Sequence, residues 1–198
     1  MTLPTRLELS MPDWFDDLEP TLPEVVADLE ERMRVVIDLS RRNFEAGTGG
    51  PFSAGVFERE SGRVVALGVN RVVPSNCSCA HAEFMAISLA QRALGRWDLG
   101  GDDGPAHQFV VNWRPCTMCF GSVLWSGVVD LVIAGDGPEL EELTGFDEGP
   151  IHPDWRGQLA ARGIALTEGV LRDDAVAVFR AFGESDALVY NGRGGGRH

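Results

Sequence analysis

Apolar positions along the chain switch repeatedly between a helical and a strand-like period. From Glu24 to Ala46, the residues Val25, Val26, Leu29, Met33, Val36, Ile37, Leu39 and Phe44 recur at helical spacing. Gly47, followed by Gly49, Gly50 and Pro51, ends that helix. Two strand-like runs come next, Phe52–Glu58 and Arg63–Val72, joined across Glu60-Ser61-Gly62 as a hairpin. After a loop at Pro74–Cys79, a second helix is predicted over Ala80–Leu94, with Phe84, Ile87, Leu89, Ala90 and Leu94 as its apolar contacts. A Gly- and Asp-rich loop at Trp97–Pro105 leads to a short buried strand at Gln108–Asn112. Pro115 then opens a helix over Cys116–Trp125, proline being well suited to a first helical position. The remaining elements are a strand at Val128–Ala134, a polar insertion with a helical turn at Glu139–Pro153, a helix at Trp155–Arg162, a strand at Ile164–Gly169 and a helix at Asp173–Phe182.

Strands alternating with helices after an initial hairpin predict an α/β chain, a three-layer α/β/α sandwich around a mixed five-stranded sheet. The length of 198 residues suits one well-buried domain over 1–198. Prolines at 4, 12 and 20 mark residues 1–20 as an irregular arm, and the glycine-rich end from Asn191 to Gly196 marks 184–198 as a C-terminal tail expected to be mobile at its end. No internal repeat is present.

Composition narrows the functional classes. With 44% hydrophobic and 24% charged residues, the chain is that of an ordinary globular protein, and no apolar run approaches the roughly 20 residues of a membrane span. The first residues lack the basic start and apolar stretch of a secretory leader, so a cytoplasmic location is expected. A net charge of −13 with scattered arginines argues against nucleic acid as a partner. Cysteines stand at 77, 79, 116 and 119, and in a reducing compartment the C-x-x-C spacing of the last pair points to metal or redox chemistry rather than disulfides.

Two fragments carry the chemistry: Cys79-Ala80-His81-Ala82-Glu83 at one helix start, and Arg114-Pro115-Cys116-Thr117-Met118-Cys119 at another. Cysteines three apart share a helix face, and a helix N-terminus stabilises thiolates, so Cys116 and Cys119 can both ligate one ion. His81 adds an imidazole, and three ligands without an obvious fourth describe a tetrahedral zinc site with an open position. Glu83, two residues beyond His81, points elsewhere on the helix and so stands beside the metal without ligating it. There it is placed to move protons between a zinc-activated water and a leaving amine. The order H-x-E … P-C-x-x-C is the pattern of zinc-dependent base deaminases. A thioredoxin-like redox role would leave His81 and Glu83 unused. Cys79 is read as a small buried packing residue, with a fourth ligand, closing the site, as the alternative.

On these residues the chain resembles the cytidine-deaminase-like superfamily, and within it the bacterial guanine deaminases. The resemblance runs from Gly50-Pro51-Phe52-Ser53-Ala54 through Val69-Asn70-Arg71-Val72 and the two zinc fragments to Gly145-Phe146-Asp147-Glu148-Gly149-Pro150 and Tyr190-Asn191. It implies a cytidine-deaminase-like fold with Zn2+ as cofactor, and hydrolytic deamination of a free purine, guanine to xanthine plus ammonia. It implies that Asn70 bonds the purine edge, that Phe52 and Phe146 form aromatic walls, and that Glu148 is a second catalytic carboxylate beside Glu83. The backbone N–H groups of Ala82 and Glu83 would meet the substrate carbonyl. A homodimer is implied too, in which the C-terminal tail can close over the partner's site with Tyr190 as lid. The bland readings are a turn cap for Asn70 and core packing for Phe52, Phe146 and Tyr190; Trp113, Trp125 and Trp155 are read as core or interface. One departure bears on the substrate. The family usually has Glu-Pro-Cys after small residues, whereas this chain has Asn112-Trp113-Arg114-Pro115-Cys116. Bulky Trp113 then counts among the substrate contacts, and other small heterocycles stay open: guanosine or another nucleoside, cytosine, or an amino-triazine such as ammeline. Editing of tRNA adenosine is the remaining alternative.

Overall fold

A computed structural model describes residues 3–101 and 104–192; the glycine-rich end of the tail lies outside the described residues. The N-terminal arm contains a short helix, α1 (Trp14–Leu18), and a 3-10 turn at Glu19–Thr21, so residues 1–20 are not irregular throughout. Trp14 is held by its indole N–H on Thr48 Oγ1 at 3.0 Å and by the Arg42 guanidinium over its ring at 4.7 Å. Such tertiary anchoring overrides the local proline signal. α2 spans Leu29–Glu45, capped by Asp28, whose carboxylate accepts from Glu31 N at 3.0 Å. The helix starts later than its periodicity suggests because Val25 and Val26 run extended beside the strand that follows, Val25 bridging Arg63.

β1 (Ser53–Glu58) and β2 (Val64–Val69) form the expected antiparallel hairpin. α3 (Val72–Ser75) occupies the start of the predicted loop. α4 (Ala82–Leu94), β3 (His107–Val111), α5 (Thr117–Ser126) and β4 (Asp130–Ile133) follow. The chain then continues through α6 (Glu139–Thr144), α7 (Trp155–Ala160), β5 (Ala165–Glu168) and α8 (Arg172–Gly183).

The five strands make one mixed sheet in the order β2-β1-β3-β4-β5, with β3, β4 and β5 parallel and β1 antiparallel to both neighbours. Alternation along the strands divides the core in two. Phe57, Val110 and Val132 face α2 and α8, while Val56, Phe109, Val111, Leu131 and Ile133 face α4, α5 and α7. The sheet is therefore the middle of three layers. Its parallel strands end on one edge, where Cys116 follows β3 and the polar insertion follows β4, the usual place for a site in such sheets.

Close packing sets α4 on that edge. A Cβ at Gly68 of β2 would lie 2.5 Å from both the Ala82 carbonyl oxygen and the Ala86 nitrogen, so only glycine lets the helix start approach the strand. Gly68→Ala forces the helix backbone to move and is expected to cost about 1–3 kcal/mol, measured by denaturant unfolding. An unchanged midpoint would contradict this packing.

Candidate active site

Two helix starts meet at the carboxyl edge of the sheet. His81 is the N-cap of α4 and Cys116 the N-cap of α5, both with extended backbone, so each side chain turns back toward the other helix. Cys116 Sγ lies 3.6 Å from His81 Nδ1. Sγ of Cys119, one turn into α5, completes a group whose three ligand atoms all fall within 4.8 Å of one another. A tetrahedral ion bound at about 2.3 Å by sulfur and about 2.0–2.1 Å by nitrogen separates those atoms by about 3.5 Å. The donor set, two sulfurs and an imidazole already gathered, suits a thiophilic metal. Cys79 is exposed and outside this group, so it is neither the buried packing residue expected nor a ligand. All four cysteines are free thiols.

The protonation pattern follows from crowding. Cys116 is lowered to about 4, first by the hydrogen bond it accepts from Cys119 and then, against burial, by His81. Cys119 is pushed well above its ordinary value by donating that bond, by burial and by the nearby Glu83. Burial works against a charged His81, but the Cys116 sulfur and the Glu83 carboxylate outweigh it and raise its pKa. Glu83 is buried and raised, by desolvation first and by Cys116 second. Glu148 is raised to about 8 by burial and by the negative charge of Cys116 and Glu83, with His81 and Arg114 opposing.

Glu148 reaches this cluster on the loop after α6. Three side chains hold that loop. Thr117, the first residue of α5, donates its backbone N–H to the Glu148 carbonyl at 3.2 Å and its hydroxyl to the Pro150 carbonyl at 2.8 Å. Asn191 accepts from Asp147 N at 3.0 Å and donates to the Gly145 carbonyl at 2.9 Å. The Glu141 carboxylate accepts from Glu148 N at 3.3 Å. Thr117 and Asn191 were not singled out in the sequence, although a threonine opening the C-x-x-C helix was a visible polar handle at a helix start.

A cavity of about 290 Å³ opens beside His81 and Glu83, at the small end for ligand pockets. Glu148, Phe52 and Phe146 line it, and Tyr190, Asn191 and Gly192 of the C-terminal segment line it too. Phe146 sits edge-on to Phe52 (centroids 5.1 Å apart) and to Tyr190 (4.9 Å), so both aromatic walls also belong to the core. The buried Tyr190 hydroxyl has no hydrogen-bond partner in normal geometry, and the neighbouring Asn70 amide tempers the rise that burial imposes on its pKa.

Three expected substrate contacts lie outside this lining. Asn70 is 1% exposed, and its side-chain carbonyl accepts from Gly50 N at 3.4 Å and Val72 N at 3.3 Å, the turn-capping role. Ala82 packs in the core under α4, although its N–H precedes the helix's first internal bond, Met85 N to the His81 carbonyl. Trp113 is 1% exposed and packs edge-on to Phe179 at 5.2 Å with the Arg172 guanidinium over its ring, so it is a core residue behind the cavity. Arg114 does not line the cavity either; it pairs with Asp136. Trp113 and Arg114 thus both lie outside the lining of the main cavity. Trp155 is core and Trp125 is exposed.

Residues 27–135, more than half of the chain, match the family described as the cytidine and deoxycytidylate deaminase zinc-binding region. The chain belongs to this deaminase family. The deaminase is 32% identical over 123 residues to guanine deaminase of Bacillus subtilis (strain 168), covering 62% of this chain and 74% of that protein. It is 34% identical over 79 residues to the tRNA-specific adenosine deaminase of the same strain, 46% of that protein's length. Among solved structures it is similar to guanine deaminase from Nitrosomonas europaea, with a TM-score of 0.86 and 46% identity over 93% of this chain and 100% of that one. It is also similar to NE0047 in complex with 2,6-diaminopurine, at 47% identity, a TM-score of 0.86 and 95% and 98% coverage.

Metal content tests the cluster directly. His81→Ala and Cys119→Ser should each lose the bound ion, measured by atomic absorption on purified protein, while Cys79→Ser retains it. Loss of metal from Cys79→Ser alone would refute the assignment.

Proposed function

We propose that this deaminase converts free guanine to xanthine and ammonia, with zinc held by His81, Cys116 and Cys119. The observation that carries this reading is the likeness, over nearly the full length of both chains, to a guanine deaminase, centred on the same fold. The cavity supports it. The C-terminal segment lines its mouth, and a roofed volume of about 290 Å³ suits a free base better than a nucleotide within a polymer. The net charge of −13 points the same way, because an RNA partner calls for a basic surface.

Zinc, when bound, supplies the Lewis acidity that makes water a nucleophile near neutral pH. Glu83 accepts the proton of the attacking water and delivers it to the ring nitrogen beside the carbon under attack. The bond from the water oxygen to C2 forms and the bond from C2 to the amine breaks. Glu148, raised to about 8 by burial and neighbouring negative charge, protonates the departing amine and takes back a proton from the hydroxyl left on C2 as that becomes the carbonyl. Phe52 and Phe146 present ring surface to the flat base, and Tyr190 closes the mouth over it. Although Asn70 and Ala82 lie outside the cavity's lining, the Asn70 amide N–H group and the N–H groups at the start of α4 are the donors this reading assigns to the purine edge and carbonyl. Four free thiols suit a reducing cytoplasm. The reading includes a homodimer, supported by Met118 and the 86%-exposed Trp125 on one face of α5.

Purified zinc-loaded protein should release ammonia from guanine in preference to guanosine, cytosine, cytidine, adenine and ammeline. Glu83→Gln should lower kcat by at least about 100-fold while keeping its zinc, the scale of a lost proton carrier. Turnover of another member of the panel in place of guanine would overturn the substrate, and activity surviving in Glu83→Gln would overturn its role.

A further inference from the structure

Next to the main cavity, and sharing Phe52, Glu83 and Glu148 with it, lies a second void of about 10 Å³, close to the room a single water needs. Glu83 and Glu148 line both spaces, and Asn112, Trp113 and Arg114 line only the smaller one. Arg114 is nine-tenths buried, with a side chain 10% exposed. Its backbone N–H donates to the Gly135 carbonyl at 2.9 Å and its Nε to the Asp136 carboxylate. Asp136 is itself held by Arg156 at 3.0 Å, and Arg156 by Glu168 at 2.6 Å. The guanidinium is thereby fixed from behind. Its Nη1 is buried with no protein acceptor, and so is the indole nitrogen of Trp113, both residues lining the void. A guanidinium stays charged, and this one acts electrostatically on Glu148. A buried donor left unsatisfied is costly, and a one-water void bounded by two carboxylates is the way to satisfy it.

We propose that Arg114 is a positioning residue for Glu148, holding one water in this void that links its Nη1 to the Glu148 carboxylate and fixes that group at the main cavity. The inference rests on Glu148 serving as a proton carrier, but the water site can be tested without any turnover. In a high-resolution crystal structure of the zinc-loaded protein, ordered density in the void should lie within hydrogen-bond distance of both Arg114 Nη1 and Glu148. An empty void, or a water touching neither, overturns the proposal whatever the enzyme turns over.

Kinetics supply the second arm. Arg114→Met should lower kcat for guanine by about 10- to 100-fold with KM and zinc content little changed, the usual scale for partners one step behind a working group. In the Glu148→Gln background the same substitution should cost nothing further, which a purely structural role would not produce. Asp136→Asn, a gentler change that frees the guanidinium, covers the case in which Arg114→Met fails to fold; it should lower kcat in the same direction by less. Wild-type kcat in either folded variant overturns the proposal. Failure of the wild type on guanine would instead overturn the assigned substrate.

Discussion

The meeting of two helix starts, which brings their N-cap side chains within hydrogen-bond reach of each other, governs this molecule. Cys116 Sγ and His81 Nδ1 stand 3.6 Å apart because α4 and α5 both begin at the carboxyl edge of the sheet. Gly68 lets α4 sit directly on β2, and the parallel β3 delivers Cys116 to the same edge. Once those ends are fixed, the rest of the site is anchored to them. Thr117 ties the Glu148 loop to α5, and Asn191 ties the C-terminal segment to that loop. The His81, Cys116 and Cys119 cluster, the Glu148 loop and the C-terminal segment form one connected unit.

Such an arrangement concentrates negative charge out of water. The Cys116 thiolate raises Glu83, Cys119 and Glu148 alike, and burial adds to each. Only His81 and Arg114 oppose this at Glu148. A divalent cation on the cluster is the natural neutraliser, because metal binding favours the deprotonated ligands that burial disfavours. The proteins to which this chain is similar include two guanine deaminases, and a cavity lined by two carboxylates and aromatic rings, with an amide beside it, accommodates a flat aminated base.

Legibility in the sequence followed range of interaction. The five strands, the long helices and the His81, Cys116, Cys119 and Glu83 set were readable because each rests on local periodicity or on fixed spacing at a helix start. α1 was hidden because its support is remote: Trp14 depends on Thr48 and Arg42, not on its proline-rich neighbours. Trp113 is near Cys116 in sequence, which suggests a pocket residue, but β3 ends just before it and turns the indole onto α8, so of its two readings the core one holds. The exposure of Cys79 and the bridging of Thr117 and Asn191 were likewise set by contacts across the fold. The same holds for Arg114, whose partner, Asp136, lies 22 residues away.

The account stands most directly on where metal and base bind together. A crystal structure of the zinc-loaded protein with 8-azaguanine, with anomalous data at the zinc edge, makes that measurement. The account predicts one zinc peak among His81 Nδ1, Cys116 Sγ and Cys119 Sγ, and the base between Phe146 and His81 with its amine-bearing carbon facing Glu83 and Glu148. Zinc at other ligands, or the base bound outside this cavity, would contradict it.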